Sequence, residues 1–385
     1  MASLIAQCFI WDELTFPKPR STHSGLRWVA AVLAQLIYSI ANLLYWRVFM
    51  LGFVTYVIDK RRIAFARFLV GFAVVAIGSI VASIYACLVP IRLSRWRATR
   101  DKSHLLWLLV HAVLGHLVVL NILVHFMCGV LRDPGRVPQP LPLEVSRTMC
   151  SRCQLPRPLR SHHCGVCGRC VLRMDHHCPW LNNCVGLRTH RHFYLLLVYL
   201  WIGIVYLYFA GWRDFMSHVQ DVCSDGDSPT REVNDSETWT HFANCVVHRL
   251  LSALFKSTVP LLAFITGLLI WHGFLISRGE TFIEYYQNKS AARILRRHRL
   301  IFRNPFDFGA ISNWLRFLGI EVSSDEKVIR EKLRNLPVWT YVKRTLLSVV
   351  LLLNSQPFDG DGLEFKTCEP DIDRALRDLA LVDDC

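Results

Sequence analysis

Seven of the 14 cysteines in this 385-residue chain fall between Cys150 and Cys184. They run as Cys150-x-x-Cys153, then His162-His163-Cys164-x-x-Cys167-x-x-Cys170, then Asp175-His176-His177-Cys178-Pro179-Trp180, and finally Cys184. Zinc prefers four thiolate or imidazole ligands in a tetrahedron, and a CxxC pair brings two sulfurs to one ion across a tight turn. Two ions take eight such ligands, and the seven cysteines with His162, His163, His176 and His177 offer eleven candidates. A doubly zinc-bound module therefore leaves groups over. On the CxxC spacing alone, a purely structural module is the plainer reading, because closed zinc sites mostly hold a fold together.

Asp175 to Cys178 adds a second reading. A cysteine becomes a nucleophile when an imidazole takes its proton and a carboxylate orients that imidazole. All three types lie within these four residues. Adjacency in sequence does not itself create such geometry, but a rigid metal-bound backbone can turn neighbours toward one another. Spacing does not tell His176 from His177.

The elements that must carry this cluster are apolar. Hydrophobic residues make up 52% of the chain, with 12 Trp and a mean hydropathy of +0.29, which points to a membrane. A spanning helix needs about 20 largely apolar residues. Four stretches approach this, Phe68 to Ile91, Leu105 to Leu131, Phe193 to Trp212 and Ser257 to Ile276, so the expected class is an all-α polytopic membrane protein with about four transmembrane helices and a small cytosolic double-zinc domain. Trp28 to Trp46 is a possible extra span, re-entrant segment or interfacial helix, whereas Leu346 to Leu353 is too short to cross. His111, His116 and His125 lie in the second stretch, where packing between helices is favoured over function. The start Met1-Ala2-Ser3-Leu4 lacks a signal-peptide pattern, so insertion is expected from an internal span. No internal repeat is expected.

Charge sets the expected sidedness. Residues 132–192 hold ten Arg and no Lys, and residues 277–303 hold six Arg and Lys289, so both read as cytosolic. Residues 213–249 carry seven acidic residues against three Arg, with the sequon Asn234-Asp235-Ser236, and read as lumenal; Cys223 and Cys245 there could pair. The basic run Arg92 to His104 resists this scheme, since span parity makes it lumenal. The expected division is an N-terminal cytosolic or interfacial region 1–62, two spans in 63–131, the zinc domain 132–192, two further spans in 193–276, and a cytosolic C-terminal region 277–385. In that last part Asn304-Pro305-Phe306-Asp307 reads as a turn and Asp325 to Arg334 as a charged stretch. The net charge of +14 lies beside the spans with no recognition helix, so it reads as lipid-facing and sidedness charge, and no nucleic acid is expected as a partner.

From Cys150 to Cys184 the chain resembles the DHHC protein S-acyltransferases. The likeness continues in Asp133-Pro134-Gly135, Arg157-Pro158, Arg160 and Asn182-Asn183-Cys184-Val185-Gly186. Gly78-Ser79-Ile80-Val81-Ala82, Ile276-Ser277-Arg278-Gly279-Glu280-Thr281 and Arg303-Asn304-Pro305 resemble the branch of the sixteenth numbered vertebrate member. The resemblance implies one structural zinc at Cys150, Cys153, His163 and Cys170, and a second at Cys164, Cys167, His177 and Cys184, with His162 an ordinary polar residue. It also implies that Asp175 orients His176, that His176 activates Cys178, and that Cys178 carries the acyl-enzyme. Two positions depart from the family: Thr189 stands for the usual Asn, and Thr281-Phe282-Ile283-Glu284 for Thr-Thr-x-Glu. Asn313, before Trp314, resembles a structural Asn that braces the C-terminal segment.

The implied reaction is transfer of a palmitoyl group from palmitoyl-CoA to a protein cysteine through Cys178. The partners are then long-chain acyl-CoA, membrane-associated proteins with cytosolic cysteines, and the bilayer, with an endomembrane location, the endoplasmic reticulum ahead of the Golgi. Trp180 could line the mouth of an acyl cavity or anchor at the interface. Two other classes compete. A catalytically silent zinc scaffold needs only eight ligands and no Asp175, His176 and Cys178; a RING-like membrane ubiquitin ligase usually ends in a further CxxC pair, and none follows Cys184. A channel or transporter would call for rows of ionisable groups within the spans, which here hold only scattered histidines.

Overall fold

The computed structural model describes residues 62–85, 89–141, 148–224, 235–319, 362–363 and 365. The chain divides into two units, residues 1–60 with 221–248, and residues 61–220 with 249–385. The first is described only where the two longest helices reach into it; all that follows concerns the second. The stretches Trp28 to Trp46, Asp325 to Arg334 and Leu346 to Leu353, and the Cys223 and Cys245 thiols, lie outside the described residues.

The helices are α1 (Arg62–Ser83), α2 (Val89–Thr99), α3 (Lys102–Leu131), α4 (His190–Ser224), α5 (Asp235–Ser277), α6 (Phe282–Arg297) and α7 (Ala310–Phe317). Among the described residues three helical stretches are long and apolar enough to cross a membrane: Lys102–Leu131, His190–Arg213 and Leu254–Ser277. These match three of the four expected spans. Of the first expected span, Phe68 to Ile91, a shorter apolar helix over Arg67–Ala82 is described, while residues 86–88 lie outside the described residues. Arg92 to Thr99, read as loop, belongs to α2, where Arg92 is buried with its guanidinium 4.2 Å from the Trp107 ring centre. That contact gives one of the basic residues that resisted the charge rule a packing role. Apolar residues such as Phe209 at 82% and Ile270 at 69% exposure face outward from the spans, as a lipid-facing surface requires.

Between α3 and α4 lie three antiparallel hairpins of three-residue strands. They are β1 (Thr148–Cys150) with β2 (Leu155–Arg157), β3 (His162–Cys164) with β4 (Arg169–Val171), and β5 (His176–Cys178) with β6 (Asn183–Val185). Contrary to the expectation of no repeat, the hairpins recur every 14 residues: Cys150, Cys164 and Cys178 each close a first strand, and the registers Thr148↔Arg157, His162↔Val171 and His176↔Val185 are in phase. The turn residue just before each second strand has positive φ, at Gln154 (56°), Gly168 (65°) and Asn182 (46°). Such a turn favours Gly and Asn. The repeat escapes a reading by residue type because only a few positions per unit are ligands.

Several bonds seat these hairpins on the helices. Asn183 Nδ2 donates to the Gly129 and Arg132 carbonyls at 2.9 and 2.7 Å, satisfying acceptors that the end of α3 leaves open. In Asp133-Pro134-Gly135 the Asp133 carboxylate accepts the Gly135 and Arg136 N–H at 2.9 and 3.0 Å. The Gly135 carbonyl accepts Leu172 N–H at 2.8 Å. Gly186 is pinned in the same place: a Cβ there would stand 2.7 Å from Val171 Cγ1 and 2.9 Å from the Pro134 carbonyl. Thr189, one of the departures, accepts Gly186 N–H at 3.0 Å and donates to the Cys184 carbonyl at 2.8 Å. It holds the turn after β6 closed.

Candidate active site and metal centres

The 14-residue register interleaves the metal ligands. One group is Cys150, Cys153, His163 and Cys170, and another is Cys164, Cys167, His177 and Cys184, the ligand atoms in each lying within 4.8 Å of one another. Each group takes the turn cysteines of one hairpin and a cross-strand pair, His163↔Cys170 or His177↔Cys184, of the next. In the first, His163 Nδ1 lies 3.1 and 3.7 Å from the Cys153 and Cys150 sulfurs. In the second, His177 Nδ1 lies 3.5, 3.6 and 3.7 Å from Cys167, Cys184 and Cys164. A zinc tetrahedron has donor-to-donor edges of about 3.5 to 3.8 Å, from Zn–N near 2.0 and Zn–S near 2.3 Å. The donor sets fit zinc in kind and in spacing. The turn N–H of Cys153 and of Cys167 donates to the Cys150 and Cys164 sulfur at 3.4 and 3.3 Å, which favours thiolate in both turns. His162, outside both groups, pairs with Val171 across β3 and β4.

Cys178 belongs to neither group. In phase with Cys150 and Cys164, it is followed by Leu181 where they are followed by Cys153 and Cys167. Its buried side chain joins an apolar cluster with Ile122, Phe126, Phe193, Leu196 and Ile265 of the spans, and Trp180 packs on the edge of that cluster, its ring 6.3 Å from that of Phe72. The thiol is therefore at the foot of the helices.

On the same strand, His176 Nδ1 donates to Asp175 Oδ2 at 2.6 Å, which leaves Nε2 as the nitrogen able to exchange a proton. Asp175 is fully buried and His176 retains 27% side-chain exposure. Burial disfavours the imidazolium, but the hydrogen bonds to Asp175 and Cys178 and the charges of both outweigh it, so His176 stands above the ordinary imidazole range. Burial likewise works against the Asp175 carboxylate, and the neighbouring imidazoles, His190 and His176 foremost, hold it below the usual carboxylate range nonetheless. Its other oxygen, Oδ1, accepts the backbone N–H of Phe282 at 2.8 Å. At this second departure the main chain, which any side chain supplies, touches Asp175.

Phe282 opens α6, whose capping box is Thr281 and Glu284, with Thr281 Oγ1 accepting Glu284 N–H at 3.3 Å and Glu284 Oε2 accepting Thr281 N–H at 2.8 Å. Glu284 in turn pairs with Arg160 at 2.6 and 2.7 Å, both side chains being nearly buried. Arg160 also donates to the Gly279 carbonyl at 2.8 Å, and its guanidinium lies 4.1 and 5.0 Å from the Phe306 and Phe365 ring centres. Gly279 has φ +65° with the Phe306 carbonyl 2.2 Å from where a Cβ would be. Asn313 braces this corner, donating to the Ser277 carbonyl at 2.9 Å and to Asp307 at 2.7 Å, while Asp307 N–H bonds the Asn304 carbonyl in the expected turn.

Three side chains near Asp175 escaped sequence reading. His190 and His272 are buried and each offers a nitrogen within 4.8 Å of an Asp175 oxygen; Arg173, also buried, lies 3.5 Å from His190. His190 and His272 sit at the ends of apolar spans, and no motif marks them. Two histidines of α3 find partners on α4, His111 with Tyr206 and His125 with His192 at 3.0 Å, while His116 Nδ1 bonds the Ala112 carbonyl of its own helix at 2.5 Å.

The family model described as "DHHC palmitoyltransferase" matches residues 144–289. "Palmitoyltransferase ZDHHC16A" of Danio rerio is 31% identical over 284 residues, covering 66% of this chain and 71% of that protein. "Palmitoyltransferase ZDHHC16" of Mus musculus is 34% identical over 248 residues, 64% of this chain and 65% of that protein. "Probable protein S-acyltransferase 15" of Arabidopsis thaliana is 33% identical over 224 residues, 54% of this chain and 80% of that protein. The chain thus spans about two thirds of the length of its vertebrate relatives.

Proposed function

The chain belongs to the DHHC palmitoyltransferase family and, within it, to the ZDHHC16 branch, and from that membership we propose that it transfers palmitoyl from palmitoyl-CoA to protein cysteine thiols through an acyl-enzyme on Cys178. The observation that carries the reading is the third hairpin: its Cys178 lies outside both metal groups, beside a His176 that Asp175 holds at 2.6 Å.

In the first step His176 Nε2 takes the Cys178 proton. Sγ attacks the thioester carbonyl, the new S–C bond replaces the bond to the CoA sulfur, and the proton leaves with CoA. In the second, a substrate cysteine gives its proton to His176 and attacks the acyl carbonyl, and Cys178 departs as thiolate and recovers the proton. One thioester replaces another, so the protein supplies orientation, a proton carrier and shelter from water more than bond energy. Asp175 keeps the imidazole in the tautomer that presents Nε2 and supports its positive charge. The apolar cluster around Cys178 is the natural place for the acyl chain, held among the spans.

Cys150, Cys153, His163 and Cys170 would hold one zinc ion, and Cys164, Cys167, His177 and Cys184 the other. With four protein ligands each, both are closed sites that supply rigidity and no Lewis-acid position. The Arg-rich segments 132–192 and 277–303 support a site on the cytosolic face, where soluble CoA and membrane-associated substrate proteins meet the bilayer. The residence is an endomembrane, the endoplasmic reticulum ahead of the Golgi.

The test is incorporation of a clickable palmitoyl-CoA analogue into purified wild type and Cys178→Ser at equal zinc content, followed by hydroxylamine. Thioester-labile label on the wild type alone is expected. Equal labelling of both proteins removes Cys178 as the acyl carrier, and an unlabelled, folded, zinc-loaded wild type returns the chain to the scaffold reading.

A further inference from the structure

Asp175 is a wholly buried carboxylate with one hydrogen bond to each oxygen, from Phe282 N–H to Oδ1 and from His176 to Oδ2. A buried anion is stable in proportion to the donors around it, and two bonds leave part of its acceptor capacity unused. The next donor is His272, on α5 five residues before the helix ends at Ser277. Its side chain is 5% exposed, and Nδ1 lies 4.0 Å from the same Asp175 Oδ2 that His176 engages. That nitrogen is buried without a hydrogen-bond partner among the described residues. Its ring meets the edge of Phe193 at 4.9 Å, and Phe193 meets His176 in the same manner at 5.1 Å. One phenyl ring thus spaces two imidazoles around one carboxylate oxygen. A third metal ion among Asp175, His190 and His272 is disfavoured by the buried Arg173 guanidinium against His190.

We propose that His272 is a positioning residue for acyl transfer, an N–H donor fixed on a membrane helix that closes on Asp175 Oδ2 and keeps that oxygen aimed at His176. The proposal rests on the Cys178 reading. Closing the gap takes a shift of about 1 Å to reach an N–H···O distance near 3 Å. Once closed, the contact also ties the hairpin module to α5 independently of the Phe282 bond.

The test compares the zinc-loaded full chain carrying His272→Phe, which keeps the ring shape without a donor, with His272→Gln, which restores an N–H. Acylation of Cys178 is followed by rapid quench against acyl-CoA concentration, beside wild type and Cys178→Ser, with zinc content and thermal stability recorded. Expected is a fall of about tenfold or more in the acylation rate for His272→Phe with KM for acyl-CoA little changed, the signature of a lost transition-state interaction, and substantial recovery in His272→Gln. A wild-type rate in His272→Phe overturns the proposal. So does an equal loss in both variants, or a loss that follows zinc content or thermal stability, since each makes the ring a packing element only. Absence of a Cys178 adduct in the wild type instead overturns the acyl-enzyme reading itself.

Discussion

Arg160→Met removes a buried guanidinium while keeping an unbranched stem between Phe306 and Phe365, and leaves Glu284 with its backbone bond to Thr281 and, of its two neighbouring guanidinium charges, only that of Arg173. Breaking a buried pair costs about 3–5 kcal/mol, but the orphaned carboxylate can escape by binding a proton. From an ordinary Glu value of about 4.3, that escape costs about 3.7 kcal/mol at pH 7 and about 1.6 at pH 5.5, at 1.36 kcal/mol per unit. The penalty is therefore capped near 500-fold at pH 7 and near 16-fold at pH 5.5. The sign follows from the wild type: burial opposes the Glu284 charge, Arg160 outweighs it, and the carboxyl sits below its ordinary value, so the wild-type pair stays charged across this range while the variant recovers as pH falls. Phe282 N–H, hydrogen bonded to Asp175 from the start of α6, is the reporter. Its hydrogen exchange, as a ratio of variant to wild type with zinc content verified at each pH, is expected to rise about 100- to 500-fold at pH 7 and no more than about 16-fold at pH 5.5. A ratio near one at pH 7 refutes the view that this pair docks the zinc module on α6, and a large ratio that ignores pH refutes the charge argument.

Three further outcomes are expected. Gly279→Ala forces a side chain into a left-handed position 2.2 Å from the Phe306 carbonyl, so it should cost well over about 2 kcal/mol, read as a lower thermal midpoint and lost protection around Phe306. Asn183→Ala strips the cap from the α3 carbonyls and should cost about 1–3 kcal/mol, measured by thermal unfolding of the zinc-loaded protein; an unchanged midpoint would mean that water replaces the amide. Elemental analysis should find two zinc ions per chain, with Cys167→Ala losing the ion that fastens the third hairpin and, with it, Cys178 acylation.

The ligand types were legible because metal chemistry restricts residue type and spacing, whereas the division of the ligands between two sites and the distinction of His176 from His177 came from the resemblance alone. Three of four spans were legible for a similar reason: lipid tolerates little but long apolar helices. His272 was hidden in an apolar helix 97 residues from Asp175 in sequence, at a separation where pattern has no reach. The role of position 282 was hidden differently. Its contact is a backbone N–H, so the departure from Thr to Phe says nothing about whether that bond exists.

The first two hairpins each lend their turn cysteines to a metal group that the next hairpin completes, so three links make two joints and the last turn cysteine has no successor. Cys178 inherits the stiffness of a ligand position without a metal to occupy it. On the proposed Cys178 reading, reactivity arises from stopping a series one unit early: a fourth hairpin bearing His and Cys in register would supply half of a third joint, and Leu181→Cys beside Cys178 the remainder. The same geometry that now leaves Cys178 outside both metal groups would then hand its sulfur to the metal. The open end of the series is thus what separates an enzyme from a longer piece of scaffolding.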